Sequence, residues 1–278
     1  MKASTNNENC PVHNALRRAE FDSMEPLPET VEYLERFYRT WHKGKDLKYF
    51  QVKVKDSDLA IGVDKESYDR GLELQCRKAL QSIRQELEDY IILDPLFQSS
   101  LVPVTLQPQA PEIARIMSDA ATAVGVGPMA AVAGAFAEFI GQGLLEQAKQ
   151  IVVENGGDIY MAGDRERVVA VFAGASPFSN KIGILVRPEE YPLGICTSSG
   201  TVGPSLSFGR ADAAIIKAAA TPLADAAATA IGNMVKTPDD FTAALEAARQ
   251  IQNLKGVMLI KDDKMAVWGE IEIVPIKA

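Results

Sequence analysis

Residues 151–162 read IVVENGGDIYMA, two apolar runs separated by Gly156-Gly157. The pattern predicts a strand that ends, a turn at the two glycines and a second strand into which Asp158 leads. Glycine is suited to such a turn because it adopts positive φ without steric cost and lets a ligand approach the backbone. Asp158 could accept a hydrogen bond from a ribose or from a ring N–H. The alternative, equally compatible with the spacing, is a simple hairpin with a capping aspartate.

Outward from this hairpin, the chain alternates between strand and helix patterns, which predicts an α+β fold. A three-stranded antiparallel start is expected within residues 29–64, and an amphipathic helix over 67–93, with Ser67 as a weak cap and Pro95 as its stop. Further helices are expected at 111–124, 128–148, 222–233 and 238–252. Strands are expected at 151–153, 159–162, 168–172, 182–186, 193–197, 211–216, 257–261, 264–268 and 270–275.

The chain of 278 residues is long enough for one large domain or two small ones. Residues 1–28 are polar and contain Pro26 and Pro28, which favours a flexible N-terminal lead. We expect residues 29–278 to form a single unit, with a subdivision near residue 100 as the alternative.

Composition excludes several classes of function. The net charge is −8 and no block of basic residues stands out, so we expect no nucleic-acid partner. The three cysteines match no metal-ligand spacing and suit a reducing cytoplasm, where we expect the protein to act. The uncharged stretch 120–137 approaches membrane-spanning length, but it is rich in alanine and glycine and contains Pro128, so we interpret it as a buried core helix and expect no membrane association.

Several catalytic motifs are absent from the sequence. The two histidines, His13 and His42, both precede the apolar middle of the chain, so no Ser-His-Asp triad can be drawn from residues 43–278. Neither a phosphate loop with Gly-Lys-Ser/Thr nor a complete Gly-x-Gly-x-x-Gly follows a predicted strand. The sequence therefore assigns no catalytic residue.

A segment rich in hydroxyl groups follows the strand predicted at 193–197. Residues 196–205 read CTSSGTVGPS, and hydroxyls with backbone N–H groups can cradle an anion such as phosphate. A polar surface loop is the alternative, and the spacing does not decide between them. Cys196 has no neighbouring base, so we interpret it as a buried strand residue.

A third segment places Asp225 and Thr229 four residues apart in the alanine-rich sequence LADAAATA (223–230). On a helix these two side chains share a face, and a carboxylate with a hydroxyl suits Mg²⁺ if carbonyls, waters or phosphate complete the shell. The alternative is structural, with Asp225 capping the N-terminus of its own helix and Thr229 bonding back to a carbonyl.

Together these segments resemble the ApbE-like superfamily, whose known enzymes are FAD:protein FMN transferases. There an alanine-rich "A-I-A-K-G-Y-A" helix start precedes "G-G-D/N-I", a "T-S-G" strand end and an "A-D-A-x-x-T" helix. The counterparts here are AVAGAFA (131–137), GGDI (156–159), TSSG (197–200) and ADAAAT (224–229), within roughly residues 100–275. The longer strings GVGPMAAVAGAFAE, ENGGDIY and GICTSSGTVGPSLSFG are most similar to an uncharacterised branch of that superfamily.

The resemblance implies an ApbE-like fold of mixed or antiparallel sheets with packed helices. It implies that Asp225, Thr229 and a backbone carbonyl near Ala131 hold Mg²⁺. FAD or FMN is then the implied cofactor. The residues implied to line its pocket or approach its pyrophosphate are Gly156, Gly157, Asp158, Thr197, Ser198, Ser199, Gly200 and Thr201.

Two departures from the transferases bear on activity. Gly134 stands where they place a lysine, and residues 203–222 lack their "H-I-I-D-P-x-T-G" stretch. The sequence therefore leaves three hypotheses open: a Mg²⁺-dependent flavin or nucleotide transferase or hydrolase, a non-catalytic module that binds flavin or another small anion, and a structural or oligomeric protein. A small-molecule ligand is the expected partner, with a second copy of the chain as the further candidate. The small-residue face of Ala131, Gly134, Ala135 and Glu138 indicates tight helix packing or close approach of a ligand.

Overall fold

The structure is a computed structural model that describes residues 46–201 and 207–276. Its strands, in chain order, are β1 (Leu47–Val54), β2 (Ser57–Asp64), β3 (Ile151–Asn155), β4 (Asp158–Ala162), β5 (Arg167–Ala170), β6 (Ile182–Val186), β7 (Leu193–Ser198), β8 (Ala213–Ala218), β9 (Leu254–Lys261), β10 (Lys264–Gly269) and β11 (Glu272–Pro275). Its α-helices are α1 (Arg70–Leu93), α2 (Pro95–Ser99), α3 (Glu112–Val124), α4 (Val132–Gln142), α5 (Thr221–Met234) and α6 (Phe241–Arg249).

An eight-stranded sheet forms the middle layer, in the order β1-β2-β3-β4-β7-β8-β9-β10. Every neighbouring pair is antiparallel. Successive residues of a strand face opposite sides of a sheet, so strands covered on both sides are mostly apolar. In β8 all six residues are buried, which places this strand at the centre of the fold.

The helices cover one face of the large sheet. The predicted apolar stripe of α1 is confirmed, since Leu72, Cys76, Leu80, Ile83, Leu87 and Tyr90 are all buried. Helices α4 and α5 pack on each other and on the middle strands β3, β4 and β7. Their contact surface is made largely of alanine and glycine, which lets the two backbones approach closely.

A three-stranded sheet, β11-β6-β5, covers part of the other face. A second apolar cluster fills the space between the two sheets, with Met161, Ile195, Ile215 and Met258 from the large sheet and Ile184 from the small one. Helices, a large antiparallel sheet and a small one thus form layers, and the predicted α+β class is confirmed. The predicted boundaries at residues 28 and 100 stay predictions.

Several element boundaries differ from those expected. Helix α1 begins at Arg70 because Asp69, not Ser67, caps it, accepting a hydrogen bond from the Leu72 N–H at 2.9 Å. Pro95 ends that helix as expected but also opens the short α2. Strand β8 begins two residues later than expected, because Ala211 uses its carbonyl to bond the Gly200 N–H.

The expected helix over 128–148 is shorter than predicted. A 3₁₀ turn occupies Pro128–Ala131, α4 ends at Gln142, and Gly143 begins a series of turns. The expected helix over 238–252 is likewise a 3₁₀ turn at Pro238–Asp240 followed by α6. Of the predicted three-stranded start, only the β1–β2 hairpin falls within the described residues.

The stretch 120–137 does not form one long helix. Gly125 adopts positive φ (78°) and ends α3, and the chain bends by 103° before Pro128–Gln142. Within residues 46–201 and 207–276, no single helix is both long and apolar enough to cross a membrane, and only this bent pair passes by length and composition when taken together.

Candidate functional site

The Gly-Gly turn joins β3 to β4 as predicted. Gly156 and Gly157 have φ of 71° and 107°, and Asn155 pairs with Asp158 across the hairpin. Two consecutive positive φ values match the turn that suits the twist of a two-residue hairpin. The carboxylate of Glu154 accepts a hydrogen bond from the Gly157 N–H at 2.9 Å, which fixes the turn from within.

A row of polar side chains crosses β3, β4 and β7 on the face covered by helices. Asn155 and Asp158 are cross-strand partners, and the β4–β7 register, in which Tyr160 faces Gly194, places Asp158 beside Cys196. Asn155 is 8% exposed, Asp158 7% and Cys196 not at all. A polar row this deep must be held by hydrogen bonds, since burial of unpaired polar groups is costly.

Cys196 is buried within β7, as predicted. Its thiol donates to the Thr221 carbonyl oxygen at 3.5 Å. Burial raises the pKa of the Cys196 thiol well above its usual range, and the charges of Asp158 and Asp225 raise it further. A thiol with a raised pKa is a poor nucleophile, so Cys196 contributes packing and a weak hydrogen bond.

Asp225 lies within α5 and reaches the N-terminus of α4. Its Oδ2 accepts a hydrogen bond from the Gly134 N–H at 2.8 Å, and the Ala133 N–H also bonds the carboxylate. Helix N-termini leave N–H groups without intrahelical partners, and Asp225 satisfies two of them. The alternative in which Asp225 caps its own helix is wrong, because α5 begins four residues earlier, at Thr221, and the capped helix is α4.

Opposing influences act on the charge of Asp225. Burial, and then the nearby charge of Asp158, raise the pKa of the Asp225 carboxyl well above its usual range. The N–H groups of Gly134 and Ala133 lower that pKa in part, because they stabilise the ionised form. Two carboxyl groups that share a buried site favour a proton or a cation between them.

The cap is reciprocal, since α4 also caps α5. Glu138 Oε2 accepts a hydrogen bond from the Thr221 N–H at 2.6 Å. Gly134 and Glu138 are one turn apart on α4, and Asp225 and Thr221 are one turn apart on α5, so each helix supplies a carboxylate to the first turn of the other. This explains why Glu138 follows the uncharged stretch of the sequence directly.

Gly134 is required by the close approach of the two helices. A Cβ at this position would lie 2.6 Å from the Thr221 carbonyl oxygen and 2.8 Å from the Asp225 Cβ. No side chain fits there without moving α5. The lysine that the transferases place here is therefore sterically excluded, and the predicted small-residue face serves helix packing at Gly134.

The other predicted metal ligands lie near Asp225 in the sequence or in the fold. Thr229 is half-buried and one turn along α5, and Ala131 is fully buried directly before α4. Among the described residues, no group of three or more His, Cys, Asp or Glu side chains could hold a metal ion. A cation at Asp225 would thus depend on hydroxyl, carbonyl, water or ligand oxygens.

The hydroxyl segment divides into two parts. Thr197 and Ser198 end β7, and the Thr197 carbonyl oxygen lies 3.8 Å from the position of a Cβ on Gly157, which brings the strand end beside the Gly-Gly turn. By contrast, Thr201 donates its hydroxyl to Asp212 at 3.0 Å, and the hydroxyls of Ser199 and Thr201 are 3.3 Å apart.

This second part of the segment is held to the β9–β10 end of the sheet. The other carboxylate oxygen of Asp212 accepts from the Asp262 N–H at 2.6 Å. Gly200 bonds the Ala211 carbonyl and is tightly packed, since a Cβ there would lie 2.2 Å from the Gly209 carbonyl oxygen. Residues 202–205 of the predicted cradle lie outside the described residues.

The structure therefore brings together Gly156, Gly157, Asp158, Thr197 and Asp225. Sequence reasoning missed Asn155, which links this group to α4, and the capping role of Glu138. The signal for Asn155 was its position at a strand end, directly before two glycines, but that position equally fits an ordinary turn residue.

A cleft of 390 Å³ lies elsewhere, on the side of the small sheet. It is lined by Leu185, Arg187, Glu189, Glu190, Lys217, Gly269, Glu270, Ile271 and Glu272. Lys217 is 1% exposed, forms an ion pair with Glu190 and donates to the Glu270 carbonyl oxygen at 3.0 Å. No predicted site residue lines this cleft.

Comparison with known proteins identifies the family. Residues 39–265 match the family model described as AbpE bacteria. The chain belongs to this family. A UPF0280 protein of Methanosarcina acetivorans is 41% identical over 197 residues, covering 70% of this chain and 78% of that protein. A UPF0280 protein of Methanocaldococcus jannaschii is 38% identical over 226 residues, covering 80% and 90%.

A solved structure extends the relationship to the fold. The apo form of the flavinyl transferase ApbE of Pseudomonas stutzeri aligns with a TM-score of 0.50 at 10% identity, covering 80% of this chain and 93% of that one. At this identity the likeness concerns the fold alone. It confirms the expected ApbE-like fold for this AbpE-family chain.

Proposed function

We propose that the protein is a Mg²⁺-dependent flavin- or nucleotide-binding protein related to the FAD:protein FMN transferases. The observation that carries the proposal is the meeting of Asp158 and Asp225 in one buried site beside the Gly-Gly turn. A buried pair of carboxyl groups is costly for a fold to keep, and a divalent cation offsets that cost. The ApbE-like fold makes a flavin nucleotide the first ligand to test.

The donor set fits Mg²⁺, which prefers oxygen ligands and keeps several waters or phosphate oxygens. Asp225 has Oδ2 engaged by Gly134, and its second oxygen is the one we assign to the cation. Thr229 and the carbonyl near Ala131 are the further proposed ligands. When bound, the ion would neutralise phosphate charge beside this acidic site.

The flavin would lie along the turn and the end of β7. We assign Gly156 and Gly157 to close backbone approach, and Asp158 to a hydrogen bond from a ribose hydroxyl or ring N–H. Among the residues of the hydroxyl segment, Thr197 and Ser198 lie closest to the turn, because they end β7 beside it. We therefore assign them to phosphate. Ser199, Gly200 and Thr201 belong to the same proposed surface, with the Thr201 hydroxyl already bonded to Asp212.

Binding without turnover is the second candidate, and one observation favours it. The close contact of Gly134 with α5 excludes the lysine of the transferases. A purely oligomeric role for the small-residue face is less well supported, because Gly134 and Ala135 are buried within the chain.

The test is calorimetric titration of the metal-free protein with FAD, with and without Mg²⁺. We expect Mg²⁺-dependent binding in the wild type, its loss in Asp225→Ala and a weaker affinity in Thr229→Val. Thr229→Val keeps the side-chain shape and the α4 cap, so it separates ligand loss from misfolding. Thr242→Val, on the exposed face of α6, is the matched control and should bind as the wild type does.

Three other outcomes have distinct meanings. Absence of FAD binding in both conditions would contradict the flavin assignment. Binding that does not depend on Mg²⁺ would contradict the metal assignment alone. If chromatography detects FMN or AMP released from FAD, the second candidate function, binding without turnover, is contradicted.

A further inference from the structure

The first turn of α4 is held by side chains from two different elements. Asp225 of α5 accepts from its Gly134 and Ala133 N–H groups. From the other side, Asn155 Nδ2 donates to the Ala133 carbonyl oxygen at 3.1 Å. The carbonyl can only accept, so the amide of Asn155 must present its NH₂ group here.

Asn155 is also the cross-strand partner of Asp158. Asn155 thus connects the β3–β4 hairpin, which carries Asp158, to the peptide group between Ala133 and Gly134. Asp225 bonds the N–H of that same peptide group. Asn155 is 8% exposed and its hydrogen bond spans 22 residues of sequence. The tie acts across the interface between sheet and helix, beside the strand position of Asp158 and at the helix N-terminus that Asp225 caps.

The backbone pairing with β2 and the Glu154–Gly157 hydrogen bond hold the hairpin within the sheet, whereas the Asn155 side chain joins it to α4. Burial, and then the charge of Asp158, raise the pKa of the Asp225 carboxyl, so the two groups interact across the interface between hairpin and helix. The turn beyond Asn155 consists of two glycines, which resist displacement less than any other residues. The bond from Asn155 opposes the separation of the hairpin from α4.

We propose that Asn155 is a positioning residue that sets the separation of Asp158 and Asp225 and, through it, the affinity of the site for a divalent cation. The ligand part of this inference rests on the proposed function. Groups that orient metal ligands typically change affinity by about 10–100-fold when they are removed. We therefore expect Mg²⁺ to bind Asn155→Ala about 10–100-fold more weakly than the wild type.

Gln150 provides a matched control at the other end of β3. It is 2% exposed, accepts from Arg167 Nη2 at 3.0 Å and donates to Asp164, so Gln150→Ala also removes a buried amide with its hydrogen bonds. In a calorimetric titration with Mg²⁺ alone, the affinity of Gln150→Ala for Mg²⁺ should be within about twofold of the wild-type affinity, whatever the effect of the substitution on stability.

Amide hydrogen exchange in the absence of any ligand provides an independent readout. The Gly134 N–H should exchange faster in Asn155→Ala than in Gln150→Ala, while the Ile140 N–H, further along α4, should respond alike in both variants. Unchanged exchange at Gly134 in Asn155→Ala would overturn the inference.

Equal Mg²⁺ affinity in Asn155→Ala and wild type would also overturn it. If the wild type binds neither Mg²⁺ nor FAD, the proposed function fails. The hydrogen-exchange rate of the Gly134 N–H then still decides whether Asn155 holds the N-terminus of α4.

Discussion

Replacement of Gly134 by alanine tests the packing of the site most directly. The added Cβ would lie 2.6 Å from the Thr221 carbonyl oxygen and 2.8 Å from the Asp225 Cβ, so α4 and α5 must move apart. Overpacking of this kind costs about 1–3 kcal/mol. Alanine regains about 0.5–1 kcal/mol over glycine within a helix. We expect a net loss of about 1–2 kcal/mol in the free energy of unfolding, measured by urea denaturation.

Gly143, directly after the same helix, is the matched control. A Cβ there would meet nothing closer than 3.5 Å, and its φ of −63° suits alanine. Gly143→Ala should therefore be neutral or more stable by up to about 1 kcal/mol. Equal or greater stability of Gly134→Ala relative to Gly143→Ala would refute the close approach of the helices. It would also reopen position 134 to a lysine.

Two further predictions concern charges outside the site. The N–H groups of Thr237 and Lys236 lower the pKa of the Asp240 carboxyl, so its contribution to stability is present near neutral pH and is lost as pH falls through the lowered pKa. The stability difference between wild type and Asp240→Asn should thus shrink as the pH falls from neutrality through the lowered pKa of Asp240, measured by urea denaturation at a series of pH values. Lys217→Met leaves Glu190 without its buried partner and should cost about 3 kcal/mol in urea denaturation. Adding Glu190→Gln should recover most of that loss, and a double variant no more stable than the single one would contradict the pairing.

Much of the fold could be predicted because its elements are locally encoded. The six apolar positions of α1 recur at helical spacing, and the glycines at 156–157 mark a hairpin wherever they occur between apolar runs. Local signals also explain the errors. The cap of α1 is Asp69, two residues after the expected Ser67, and α4 ends at Gln142, directly before Gly143 and short of the expected end at 148.

The arrangement of the site could be predicted only in part. Asp158 and Asp225 were selected by motif, but nothing local indicates that Asp225 caps a helix 91 residues away in the chain. The same holds for Glu138 and Thr221, which meet across 83 residues. Such pairs are set by how α4 and α5 cross, and that crossing depends on tertiary packing that a single sequence does not display.

The capping role of Asp225 is compatible with the role proposed for it in cation binding. Burial and the charge of Asp158 favour the protonated carboxyl, while the N–H groups of Ala133 and Gly134 favour the ionised one. Helix N-termini stabilise negative charge, and so does a divalent cation. The helix and the cation therefore act in the same direction on Asp225. Because the Gly134 N–H bonds Oδ2, a cation at the other oxygen would hold the carboxyl in the ionised form that caps α4 best. Capping is thus no reason to exclude ligation, and the two roles should strengthen each other.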